Sequence, residues 1–210
     1  SPVFGFSSLE GSYIKTSYLA NFEKAATLCK EKDYDFRVLI QDKSDFTGIR
    51  EMTGVGDFRF QMYSSLAFGA KEITYYEYSC FNTYEQGDYA LYCNQDGTYN
   101  WTFEAAKTVN NEVHQFEDAY MAYKWDGVMY RNADELYDNQ NFANLVNPLT
   151  SHKRVKIVDS SEDTLLTTFK NRENGDDAFM VVNYNDTSWR RKANVKIDFK
   201  GYTKAQIYVK

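Results

Sequence analysis

Apolar residues along the first 120 positions recur at helical spacing in three stretches, with two short, dense runs between them. The central stretch, Asp57 to Ser79, predicts a helix, a glycine turn and a strand. Phe60, Tyr63, Leu66 and Ala67 fall on one helical face. Asp57 precedes that run as a candidate N-cap, and Gly69 stands where a residue without Cβ ends a helix at little cost. Residues 73–78 (ITYYEY) are β-branched or aromatic throughout most of their length, as in a buried strand. Upstream, Leu19, Phe22, Ala26 and Cys29 mark the buried side of a helix capped by Ser12 or Thr16 and running to about Lys32. Lys30 and Lys32 suit its C-terminal dipole. Residues 36–41 (FRVLIQ) read as a strand of the kind that parallel sheets bury on both faces. A third helix is expected from Trp101 to Glu117, capped by Asn100 or Thr98. Its apolar side carries Phe103, Ala106, Val109, Val113 and Phe116.

The pattern changes near Tyr130. Residues 131–154 are polar with little periodicity and predict a surface connection. From Val155 onward short alternating runs at 164–170, 178–184, 193–199 and 205–209 predict antiparallel strands, with Asn174-Gly175 and Lys200-Gly201 as turns. The fold class is therefore α/β followed by all-β, in three parts: 1–130, 131–154 and a sandwich-like 155–210. A two-strand parallel sheet buries little apolar area by itself. The terminal strand at 205–209 would leave an open edge. Both features predict a unit cut from something larger.

Charge narrows the partners. The 24 Lys and Arg against 30 Asp and Glu give −6, dispersed along the chain, which argues against nucleic acid as a partner. No apolar run approaches the ~20 residues of a membrane span. The three cysteines, Cys29, Cys80 and Cys93, lack metal or disulfide-framework spacing. No metal site or cofactor is expected, and no nucleotide-loop or nucleophile-elbow motif occurs. The 18 Tyr and 15 Phe supply many rings of the kind that stack on sugars as well as fill cores.

Arg59-x-Gln61, Leu66-Ala67-Phe68-Gly69-Ala70-Lys71 and Ile73-x-Tyr75-Tyr76 together resemble the last α/β unit of bacterial (β/α)8-barrel glycoside hydrolases of the β-galactosidase type. The similarity extends from about Tyr18 to the end of the chain. It implies that residues 1–130 are the C-terminal portion of a barrel of roughly 250 residues, with 36–41 and 73–78 as its seventh and eighth strands and an accessory β-sandwich after them. The implied substrate is an oligosaccharide or glycoside, and the implied chemistry is hydrolysis by two carboxyl groups without a cofactor.

In such barrels the site is built at the C-terminal ends of the strands. That directs attention to Gln41, Asp42 and Asp45 after the first strand, and to Glu77, Tyr78 and the loop with Tyr84 after the second. Glu77 is the carboxylate inside a strand run, and two readings of it stand: a catalytic group, or an ion pair with Arg37 or Arg59. Gln41 departs from the family pattern, in which a Glu ends the seventh strand. An amide cannot attack an anomeric carbon, so Gln41 is assigned to sugar hydrogen bonding, with Tyr78 and Tyr84 as further substrate contacts. Strand alternation sends Asp42 to the other side. The acid/base half of such a site would lie on strands outside this chain. Arg59 and Gln61 are expected to tie the helix to a strand. The alternative reading is a non-catalytic carbohydrate-binding or interaction module whose Phe81, Tyr84, Tyr89 and Tyr92 stack on glycans.

Overall fold

The structure, a computed structural model, describes residues 6–7, 13–42, 54–76, 78, 98–134, 139–185 and 191–201. A short antiparallel pair, β1 (Phe6–Ser7) with β2 (Tyr13–Ile14), leads into α1 (Tyr18–Lys32). Leu19, Phe22 and Ala26 are buried as their spacing predicts, and Cys29 is half-buried. The helix begins after Ser17, whose side chain makes no capping bond, rather than after Ser12 or Thr16. It ends at Asp33, which takes the left-handed conformation (φ 55°) and donates its N–H to the Cys29 and Lys30 carbonyls. Glu23 is buried on the same helix, where its carboxylate accepts the N–H groups of Val146 (2.5 Å) and Asn147 (2.9 Å). Those charge-assisted bonds offset the desolvation of the carboxylate.

The strand β3 (Phe36–Gln41) pairs in parallel with β4 (Ala70–Tyr76), and α2 (Val55–Ala67) connects them. The helix starts three residues earlier than a cap at Asp57 would allow. Gly54 is its N-cap, and Asp57 lies buried in its first turn. Gly69 has φ +82°, and the chain turns there straight into β4, so the strand begins at Ala70 and closes at Tyr76. A Cβ on Gly69 would stand 2.5 Å from the Cβ of Trp125, so close packing as well as backbone conformation selects glycine.

Burial along β3 and β4 departs from expectation. Phe36, Val38 and Ile40 are buried, whereas Arg37, Leu39, Glu72, Thr74 and Tyr76 are exposed. One face of the pair is covered, with Phe22 of α1 against Phe36 and Phe68, and Phe58 of α2 against Tyr75. Among the described residues nothing covers the other face, and neither strand has a second strand beside it. The described residues form no closed barrel.

Asn100 caps α3 (Trp101–His114), its Oδ1 accepting the Thr102 N–H at 2.7 Å. The helix expected to reach Glu117 breaks at Gln115–Phe116, and α4 (Glu117–Met121) follows. The next element was not anticipated. β5 (Tyr123–Arg131) joins β7 (Thr164–Asn171) and β8 (Asp177–Asn183) in an antiparallel sheet ordered β5-β7-β8. The sheet therefore draws a strand from the N-terminal side of position 131. The segment expected as a surface connection carries α5 (Gln140–Ala143), which buries Asn141 and Phe142, with Leu145 beyond it. Phe142 stacks on Tyr130 and packs against Tyr184. The hairpin β7–β8 turns at Asn174-Gly175 as expected, Gly175 having φ +74°.

A second small sheet pairs β6 (Val155–Ser160) with β9 (Val195–Phe199). Met129, Val155 and Leu166 are buried between the two sheets, with Ile157, Phe179 and Ile197 against them. The larger core runs from α1, α2 and α3 into Val128, Leu165, Val182 and Tyr184, so the helical part and the three-stranded sheet share apolar contacts. Strand 205–209 lies outside the described residues.

Candidate functional site

Of the residues singled out by sequence, Gln41 and Asp42 lie at the C-terminal end of the parallel pair. Gln41 faces Tyr76 in register, and the Asp42 N–H donates to the Tyr76 carbonyl at 3.2 Å. Consecutive N–H groups of a strand alternate in direction, so the N–H of Gln41 points away from β4. There it meets Gln61. The Gln61 Oε1 accepts the Gln41 N–H at 2.8 Å, and the Gln61 Nε2 donates to the Gln41 carbonyl at 2.9 Å. One side-chain amide thus supplies the two bonds that a neighbouring strand would have made, which is the tie between helix and strand expected of it. Any further strand beside β3 would have to pair with residues before Gln41.

Arg59 does something else. Its guanidinium holds Glu112 of α3, with Nε 3.1 Å from both carboxylate oxygens and Nη2 2.5 Å from one. It ties helix to helix. Tyr63 adds its hydroxyl to the same carboxylate at 3.4 Å, and burial, followed by that negative charge, raises the phenol to about 12. Arg37 pairs with Glu72 at 3.1 Å on the uncovered face. Both arginines proposed as partners for Glu77 therefore hold other carboxylates. Glu77 itself, Asp45, Tyr84 and the remainder of the Tyr-rich loop lie outside the described residues.

Gln41 and Asp42 are both fully buried, contrary to the alternation that would separate them. Asp57 is buried too, in the first turn of α2, where the helix dipole favours an anion. The sequence directs attention to Asp42 but alternation sends it to the other side, and Asp57 reads as a cap; both are instead buried. Burial foremost, then the charge of Asp42, makes the Tyr75 phenol harder to ionise, while its bond to Asn110 Oδ1 (2.7 Å) acts the other way. Tyr76 and Tyr78, by contrast, are exposed, at 40% and 59%. The result is a polar, carboxylate-bearing strand end with two tyrosine rings at its rim.

The two histidines sit elsewhere. His114 is exposed and 2.5 Å from Glu117, and His152 lies 3.9 Å from Asp177 with its ring edge-on to Phe179. No group of three or more His, Cys, Asp or Glu among the described residues could hold a metal ion. No described helix is long and apolar enough to cross a membrane.

Comparison with protein-family models, with curated proteins and with solved structures gave no match for this chain.

Proposed function

We propose that residues 1–130 are the C-terminal portion of a (β/α)8-barrel carbohydrate-active protein, a glycoside hydrolase of the β-galactosidase type, and that the antiparallel sheets belong to its accessory sandwich. The observation that carries this reading is the uncovered face of the β3–β4 pair. Parallel strands are found buried on both faces. Here Arg37, Leu39, Glu72, Thr74 and Tyr76 stand exposed on a pair that has no further strand beside it among the described residues. A closed barrel would turn such a face toward its axis and its strand ends toward the site. The polar strand end at Gln41, Asp42 and Tyr76 supports the same assignment. In this reading Glu77 is the catalytic carboxylate, Tyr78 and Tyr84 contact the sugar, and no cofactor takes part. Gln41 is fully buried and enters the site only by displacement of what buries it.

The test is hydrolysis of a panel of aryl glycosides, β-galactosides included, by the protein expressed from its whole reading frame. Glu77→Gln should lower kcat at least ~100-fold, the scale of acid–base participation. Turnover unaffected by that change would remove Glu77 from the chemistry.

A second reading, a non-catalytic carbohydrate-binding module, is favoured by the amide at position 41 and by the exposed rings of Tyr76 and Tyr78. Saturable oligosaccharide binding without turnover by the same protein would put it ahead.

A further inference from the structure

At the other end of the parallel pair, where β3 and β4 begin, lies a cleft of about 110 Å³. Phe36, Phe68 and Trp125 line it, the last two with ring centres 6.1 Å apart. Four cations also line it, and they differ in one respect. Lys30 pairs with Asp126 at 2.9 Å, Lys124 with Asp33, and Arg172 with Asp35 at 3.2 Å. Lys71 has no carboxylate within ion-pair distance among the described residues. Its ammonium instead donates to the carbonyls of Tyr120 (2.9 Å) and Tyr123 (2.7 Å), 3.9 Å from the centre of the Tyr120 ring.

Those contacts use two of the three N–H groups and supply dipoles rather than a counter-charge. Burial, with the charge of Arg172 next, lowers the Lys71 ammonium to about 8, and Asp35 opposes that shift. A part-buried cation without a counter-ion among the described residues, beside the Trp125 ring, has the polarity that an organic carboxylate completes. The rim carboxylates Asp33 and Asp35 disfavour a second negative charge.

We infer that this cleft binds a small organic monoanion, its carboxylate meeting the Lys71 ammonium and its apolar body lying against Trp125 and the edge of Phe36. The site is distinct from the strand end with Gln41 and does not depend on the carbohydrate reading.

Benzoate is the probe, titrated into the intact protein at neutral pH and followed by ligand-observed NMR. Saturable binding in the millimolar class is expected, with NOEs from the benzoate ring to the Trp125 ring. Lys71→Met should weaken it at least about tenfold, and inorganic phosphate should compete less well than acetate. No saturable binding, or equal binding by a folded Lys71→Met protein, would overturn the assignment. If that variant does not fold, the wild-type NOE decides: its absence at saturating benzoate also overturns it.

Discussion

Replacing Gln61 by leucine removes an amide while nearly preserving volume, and its cost follows from what is left behind. The Gln41 N–H and C=O, bonded at 2.8 Å and 2.9 Å, both belong to a residue with no exposed surface. Neither can turn to β4, because the Asp42 N–H already bonds across to Tyr76 and fixes the pleat. A buried backbone group deprived of its partner costs about 1–3 kcal/mol, so the pair costs about 2–6 kcal/mol. That is a large share of the ~5–15 kcal/mol by which domains are stable. Urea unfolding followed by circular dichroism measures it, with an unchanged m-value showing that the unfolded state is not the cause. Gln61→Glu separates the two bonds. A carboxylate still accepts from the Gln41 N–H but presents oxygen to its carbonyl, so the variant is weakened at neutral pH. Burial of such a carboxyl raises its pKa, and a protonated form donates again, so the deficit shrinks as the pH is lowered. Lys107→Met is the control, since the Lys107–Glu104 pair is exposed on both sides (58% and 68%) and surface pairs contribute about 0–1 kcal/mol. A Gln61→Leu protein within about 0.5 kcal/mol of wild type would refute the reasoning, because it would mean that the Gln41 backbone does not depend on this amide.

Gly69→Ala combines a left-handed φ with a Cβ placed 2.5 Å from Trp125 and should destabilise by about 2–4 kcal/mol. Gly175→Ala has the φ of +74° but open space around it, so thermal unfolding should show a loss of only about 1 kcal/mol. Glu23→Ala leaves the N–H groups of Val146 and Asn147 without their acceptor and should cost about 2–4 kcal/mol, read in the same denaturation assay. Burial lowers the Lys71 ammonium to about 8 in the native protein, against the 10.5 of an exposed lysine. Between those values the unfolded chain holds the proton and the native protein does not. Unfolding free energy should therefore rise with pH across that window relative to Lys71→Met, and a flat difference would contradict the burial of the amine.

Much of the fold was legible where a single period governed a segment. α1 buries the face that its spacing marks, α3 buries Ala106 and Val109 of its expected side, the β7–β8 hairpin turns where Asn174-Gly175 predicts, and β3 has its expected bounds. β5 was not legible because Lys124, Asp126 and Gly127 interrupt its apolar residues. A register shift between Trp125 and Gly127 also breaks the alternation that would reveal it. α5 has only four residues, too few for a helical period, and is recognisable only by Asn139 as its cap. Gln61 was marked as a tie, but nothing local could distinguish its partner, the strand, from that of Arg59, a helix. The burial of Asp42 depends on what surrounds the strand end and not on alternation along it. Lys71 left no sequence signal at all, since the two carbonyls that hold it come from residues about fifty positions later.

A crystal structure of the protein expressed from its complete reading frame would test the account most directly. It should show another parallel strand beside β3, pairing with residues before Gln41, and another on the far side of β4. The face bearing Arg37, Leu39, Glu72, Thr74 and Tyr76 should then be enclosed by the barrel. The same face open to solvent, with β3 and β4 still a lone pair, would contradict it.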